Sequence, residues 1–251
     1  NIGAMNVADI TANMVVNSGS ENNADSFTSG ATQGKTNVNL RGLGLTSTLV
    51  LFDGRRQVLN ASAANDGSAF VDTSSIPAIA LERVEVLKEG AASIYGSDAV
   101  AGVVNYIFRR DFTGLEVDLT TQQIDVGSSR DDRASFIFGE QFGDTNFVLA
   151  YSTLDRSPMT GTDKDLAPLA ISTLGTSFRL FADSTTVADT THPWYGTDGT
   201  YTKGFIKDPN CIANGGTDLG SLCGFHYGPR FNIVNTENHE QIYSSITTPF
   251  N

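Results

Sequence analysis

Polar residues dominate up to about residue 35, and the run Asn17-Ser-Gly-Ser-Glu-Asn-Asn-Ala-Asp25 has no apolar periodicity. Asn6 to Met14 predicts one short helix, followed by a loop. Apolar residues are denser between positions 36 and 110. Val38 to Arg41 predicts a strand, Gly42-Leu-Gly44 a turn, and Thr48-Leu-Val-Leu-Phe52 a second strand of β-branched, aliphatic and aromatic residues. That strand stops at Asp53-Gly54, a hairpin signal. A polar loop, Asn60 to Ser68, follows. Ile76-Pro77 then opens a short helical turn into the strand Arg83 to Lys88. Val84 and Val86 face one way in this strand, and Arg83, Glu85 and Leu87 the other. Gly90 to Gly96 is small and turn-rich. Ala99 to Phe108 predicts another strand, in which Gly102 marks a bulge or a close backbone approach.

From Phe112 the pattern becomes strict alternation. Leu115, Val117 and Leu119 share one face, and Glu116, Asp118, Thr120 and Gln122 the other. After a polar turn, Val126 to Asp132, a second strand runs from Ala134 to Phe142. It turns at Gly143 to Asn146 into a third, where Phe147, Leu149 and Tyr151 alternate with Val148, Ala150 and Ser152. A long irregular segment, 157–238, holds Pro158, Pro168, Pro193, Pro209, Pro229 and Trp194. A last strand begins near Glu240. A short turn on one side and a very long loop on the other is the asymmetry of outer-membrane barrels. A soluble β-sandwich has the same alternation, and four strands cannot close a barrel that needs about eight.

Composition narrows the function classes. The 251 residues are 39% hydrophobic and only 18% charged. With 25 glycines, that suits strands joined by turns. The net charge of -12 argues against a nucleic-acid partner, since phosphate binding requires clustered Lys and Arg. A run of about 18 apolar residues, the signature of a spanning helix, is absent, although a spanning β-strand needs only about 10 alternating residues. The start of the chain shows no signal peptide. Cys211 and Cys223 lie in one Gly/Asn-rich segment without a second ligand pair, so a disulfide fits better than a zinc site. Such a bridge stabilises by about 3 kcal/mol and implies an oxidising compartment.

Candidate chemistry is sparse. Gly42, Gly44 and Ser47 have the spacing of a phosphate loop, but a strand follows where a nucleotide fingerprint requires a helix. His192, His226 and His239 lack ligand spacing, and Asp163 with Asp165 offers only two carboxylates toward calcium. Neither a hydrolase elbow nor a reactive-cysteine signature is present. Catalytic residues, a bound metal and a cofactor are therefore not expected.

The segments "VNLRGLG…TLVLFDGRRQ" and "FVDTSSIPAIALERVEVLKEGAASIYGSDAVAGVVNYIFRRDFTG" resemble the plug domain of TonB-dependent outer-membrane transporters of Gram-negative bacteria. The resemblance is close over residues 6–114 and looser through the strands that follow. It implies an α+β plug domain, a small mixed sheet with short helices, spanning 1–111. Residues 112–251 would then be the first four or so antiparallel strands of a transmembrane β-barrel of about 22 strands, incomplete in this chain. The long external loop would span 157–238. The implied location is the outer membrane, in contact with its lipid. The implied activity is uptake of a scarce nutrient, such as an iron-siderophore, cobalamin or an oligosaccharide. Its energy would come from TonB, through a box expected upstream of residue 1. The competing class is a secreted or surface-exposed β-rich binding module that transports nothing.

The resemblance also assigns residues. Arg41, Gly42, Gly44, Asp53, Gly54, Glu82, Glu85, Gly96 and Gly102 carry the plug motifs. Arg41, Arg55, Arg56, Gln57, Asn60, Asn65 and Asp66 are apical candidates for contact with substrate, through forked hydrogen bonds in the case of the arginines. Glu82, Arg83, Glu85, Arg41 and Arg109 would face the barrel wall, because a plug in a polar lumen needs a polar exterior.

Overall fold

The computed structural model describes residues 4–21, 32–88, 91–123, 129–164, 171–172, 178–179, 205–206, 208–220, 223–227 and 232–249. These fall into two compact units, Asn1–Met159 with Ile233–Asn251, and Thr160–Asn232.

The first unit opens with α1 (Val7–Ala12). Asn6 and Asp9 form a reciprocal capping box at its start, each side chain accepting from the other's backbone N–H. Then come β1 (Thr48–Phe52), β2 (Arg55–Arg56), β3 (Leu81–Leu87), α2 (Ala92–Tyr95) and β4 (Gly102–Phe108). These strands form one sheet in the order β2-β1-β4-β3. It is mixed: β1 and β4 are parallel, while β2 and β3 are antiparallel to their neighbours. Central β4 is covered on both faces, which explains its nearly unbroken apolar run.

The strand expected at Val38 to Arg41 does not form. The segment is extended and makes a single isolated bridge, between Asn17 and Leu40. Side chains take the place of a strand partner: Asn39 N donates to Asn17 Oδ1 at 2.9 Å, and Leu40 N to Thr48 Oγ1 at 3.0 Å. The stretch read as a turn before Gly96 holds the helical turn α2, which ends where Gly96 takes a φ of 86°. At Gly102 a Cβ would stand 2.5 Å from the Leu87 carbonyl oxygen, so the close backbone approach is real.

The alternating segments form β5 (Gly114–Gln123), β6 (Arg130–Phe142), β7 (Thr145–Arg156) and β8 (Glu237–Thr247). They make a fully antiparallel sheet in the order β8-β7-β6-β5. Its register places Val117, Phe136, Tyr151 and Ile242 in one cross-strand row, and Asp118, Ser135, Ser152 and Gln241 in the next row on the opposite face. One core joins the two sheets: Val7, Leu40, Val50, Ile76, Ala80, Val104 and Tyr106 pack with Ile137, Val148 and Ala150. Gly139 makes room for this seam, because a Cβ there would lie 2.0 Å from the Phe112 carbonyl oxygen. Among the described residues no helix is long and apolar enough to cross a membrane, which says nothing about strands.

In the second unit Cys211 and Cys223 form a disulfide. Strand Cys223–His226 pairs with Thr217–Asp218 and with Ile171–Ser172. Asp208 accepts hydrogen bonds from Asn210 N and Asn214 Nδ2. Asp163 accepts from the N–H of Thr160 at 2.7 Å. Asp165, Pro168, His192, Pro193, Trp194 and Pro229 lie outside the described residues.

Candidate functional site

The hairpin at Asp53-Gly54 is a fastening point. Asp53 takes a φ of 47°, a left-handed conformation that Asp tolerates better than most side chains, and Gly54 follows at 75°. Asp53 Oδ1 accepts from Phe108 N at 3.0 Å, and Oδ2 pairs with Arg110 at 2.7 Å. The turn is thereby tied to the point where β4 leaves for β5. Arg55 lies beside it and lines a cleft of about 290 Å³ with Gln57, Pro77 and Arg110.

Arg56 is already engaged. Its guanidinium donates to Asp98 Oδ2 at 2.6 Å and to the Tyr95 carbonyl at 2.5 Å. The Arg56 hydrogen bond holds the Asp98 carboxyl below its ordinary value. Arg56 and Gln57 share a second cleft, of about 360 Å³, with Leu45, Thr46, Leu59, Phe70 and Asp98. The turn after Gly44 and the segment after the hairpin therefore meet around one hollow.

The other candidates lie apart from that hollow. Arg41 has a φ of 57° and donates from Nη2 to the Ala101 carbonyl at 2.9 Å, with Gly42 at 67° and Gly44 at 103° beside it. Asn60 closes its own loop by donating to Ser62 O, and Asn65 N donates to Glu21 Oε1. Asp66 accepts from Ser68 N, which keeps its carboxyl low. Glu82 and Glu85 flank Arg83, which bonds to both. This accounts for the pair without acid-base chemistry. Among the described residues no cluster of three or more His, Cys, Asp or Glu could hold a metal.

Apart from Arg109, which is expected to face the barrel wall, the residues that join the mixed sheet to strands β5 to β8 are not anticipated from the sequence. Arg109 Nη2 bonds Glu116 Oε2 at 2.8 Å, and its guanidinium carbon stands 4.3 Å from the centre of the Phe112 ring. Gln241 Nε2 donates to the Ser74 carbonyl. Arg133 spans the seam, donating to the carbonyls of Ala4 and Met5 and to Asp118. At one end of the sheet Arg156 clamps three strands together, bonding Asp131 at 2.8 Å and Glu237 at 2.9 Å. His239 Nδ1 lies 3.4 Å from Glu237, and His226 ends the strand in the second unit. Partners as far as 167 residues apart leave no local signal.

The polarity of the second sheet is reversed relative to a soluble protein. The face against the mixed sheet carries Glu116, Asp118, Thr120, Ser135, Ser152 and Gln241 beside Ile137 and Ala150. The opposite face is apolar and open: Leu115, Val117, Leu119, Ile242 and Ile246 are 66%, 59%, 77%, 72% and 73% exposed.

The first unit thus holds a small mixed-sheet domain on the polar face of an antiparallel sheet. Residues 2–103 match the family model described as TonB-dependent Receptor Plug Domain. The iron-regulated outer membrane virulence protein of Vibrio cholerae serotype O1 is 34% identical over 107 residues, covering 41% of this chain and 16% of that protein. The ferric enterobactin receptor PirA of Pseudomonas aeruginosa is 30% identical over 136 residues, covering 51% of this chain and 18% of that receptor. A crystal structure of a ferric enterobactin receptor mutant from Pseudomonas aeruginosa, in complex with enterobactin, aligns at 22% identity and a TM-score of 0.43. The alignment covers 61% of this chain and 23% of that one.

Proposed function

We propose that this chain is the plug and first four wall strands of a TonB-dependent transporter that takes up a ferric siderophore across the Gram-negative outer membrane. The observation that carries the reading is the reversed polarity of β5 to β8. A soluble sandwich would bury the row Val117, Phe136, Tyr151 and Ile242 and leave Asp118, Ser152 and Gln241 in water. Here the apolar row faces outward, as it must where lipid is the solvent, and the polar face lies against the plug, as in a barrel lumen. The binding-module alternative has no use for that arrangement.

The iron-chelate class is supported by the names of the two relatives, an iron-regulated outer-membrane protein and a ferric enterobactin receptor. Further strands would close a barrel of about 22 strands around the plug. TonB would act on a segment upstream of α1, and the substrate would be met by Arg41, Gln57 and the loop from Asn60 to Asp66. No covalent step is required. The chemistry is binding followed by gated passage.

The test is uptake of radioiron by a Gram-negative strain lacking its own siderophore receptors and expressing the full-length protein. Uptake from ferric enterobactin or another ferric chelate, abolished when the inner-membrane energising complex is removed, is the expected result. A protein that reaches the outer membrane yet promotes no uptake from any ferric chelate would refute the reading.

A further inference from the structure

The start of α1 rests on one side chain of the wall. Arg133, near the start of β6 on the face toward the plug, donates from Nη1 to the Met5 carbonyl at 3.0 Å and to the Ala4 carbonyl at 3.3 Å. Its Nη2 donates to Asp118 Oδ1 at 2.8 Å, so a β5 carboxylate aims and neutralises it. The guanidinium is mostly buried. The carbonyls of Ala4 and Met5 lie ahead of the helix and take no part in its ladder, and a charged donor is among the strongest partners a carbonyl can find.

The polar groups around this contact are incompletely matched. Asn6 Nδ2, Arg133 Nε and Ser135 Oγ are buried and meet no hydrogen-bond partner among the described residues. Asn6 follows the Met5 carbonyl that Arg133 binds, and Ser135 lies two residues along the same face of β6. Beyond this point α1 is held by different means. Val7 packs in the core, Thr11 Oγ1 lies 3.1 Å from the hydroxyl of buried Tyr106, and Asp9 Oδ2 accepts from the N–H groups of Met5 and Asn6. The hold is thus graded, with a polar clasp at residues 4 and 5 and an apolar anchor behind it.

We infer that Arg133 is a latch that pins the segment leading into α1 to the wall, and that its release frees Met5 to Thr11 while the mixed sheet stays folded. On the transport reading proposed above, a pull from the N-terminal side meets this latch before it meets the core. The Asn6, Arg133 and Ser135 groups would gain hydrogen bonds from water as the seam opens, which lowers the cost of opening.

The test is hydrogen exchange on the full-length protein in lipid, with Arg133→Met and Asp118→Asn. Arg133→Met should speed exchange at Met5 to Thr11 by more than about tenfold while β4 stays within about twofold of the wild type. Asp118→Asn, which leaves the two carbonyl contacts in place, should give a smaller change in the same segment. Unchanged exchange at Met5 to Thr11 in Arg133→Met, or an equal rise in β4, would overturn the latch. These readouts need no transport. A wild type that fails in iron uptake would sink the transport reading without touching the latch, and an unaltered exchange pattern would do the reverse.

Discussion

Phe108 at the end of β4 and Tyr243 in β8 stack face to face, their ring centroids 4.6 Å apart and their planes 8° from parallel. Phe108 in turn meets Phe52 of β1 edge-on at 5.8 Å. An aromatic bridge therefore runs from the mixed sheet to strand β8. Tyr243→Ala should weaken the docking of the mixed sheet on strands β5 to β8 by about 1–3 kcal/mol, combining a lost aromatic contact with lost burial. Tyr243→Phe should cost under about 0.5 kcal/mol, since the ring is what stacks. Denaturant unfolding of the full protein in detergent separates the two. Equal losses would mean that the hydroxyl, and not the stack, matters.

Asp53 combines a left-handed backbone with two hydrogen-bonding roles, toward Phe108 N and Arg110. Asp53→Ala should cost about 2–4 kcal/mol, because it strains the turn and leaves a partly buried N–H and an arginine unmatched. Asp53→Asn keeps the turn and one acceptor, and should recover about half of that loss. The same unfolding measurement reads both. An alanine variant as stable as the wild type would remove the hairpin from its fastening role.

Glycine substitutions should divide by surroundings. Gly102 has a φ of 135° and the Leu87 carbonyl in the place of a Cβ, whereas Gly54 has a φ of 75° with open space around it. Gly102→Ala should cost more than about 3 kcal/mol and Gly54→Ala about 1 kcal/mol. Gly139→Ala should resemble Gly102→Ala, since the Phe112 backbone blocks it. Comparable melting shifts at positions 54 and 102 would contradict the crossing of β4 past Leu87.

The tie between Arg56 and Asp98 should respond to acid. The Asp98 carboxyl lies below its ordinary value of 3.8 because Arg56 hydrogen-bonds the charged form. A depressed carboxylate contributes in full above the unfolded pKa and is lost as pH falls through the folded one. The Arg56 guanidinium signal in NMR should hold steady from neutral pH to about 5 and move only in more acid solution, below the ordinary carboxylate range. In Asp98→Asn that movement should vanish. A signal in the wild type that ignores acid would show the pair to be unformed in solution.

Much of this structure is legible in the sequence where the cause is local. Asp53-Gly54 marks the hairpin, and the alternation from Leu115 onward marks strands β5 to β7 and shows which of their residues share a face. Gly102 marks a close backbone approach. The segment Val38 to Leu40 has the composition of a strand, but Asn17 and Thr48 side chains satisfy its N–H groups, and no local pattern shows that. The contacts of Arg133, Arg156 and Gln241 depend on which face of the sheet meets the plug. Alternation alone leaves that choice open, because it fits a sandwich and a barrel equally. The resemblance identifies the plug but does not show which candidates gather round one hollow. Arg56 and Gln57 line it, whereas Arg41, Asn60, Asn65 and Asp66 do not.

The central claim is that the apolar face of β5 to β8 looks into lipid. Spin labels placed singly at Val117, Leu119, Ile242 and Ile246, and at Asp118, Thr120 and Gln241, in the full-length protein in bilayers test it most directly. The account predicts that the first four collide with oxygen more often than with a water-soluble nickel complex, while the last three are shielded from lipid by the plug. Labels at Val117 and Ile242 that meet the nickel complex as freely as a surface loop does would contradict it and return the chain to a soluble β-rich module.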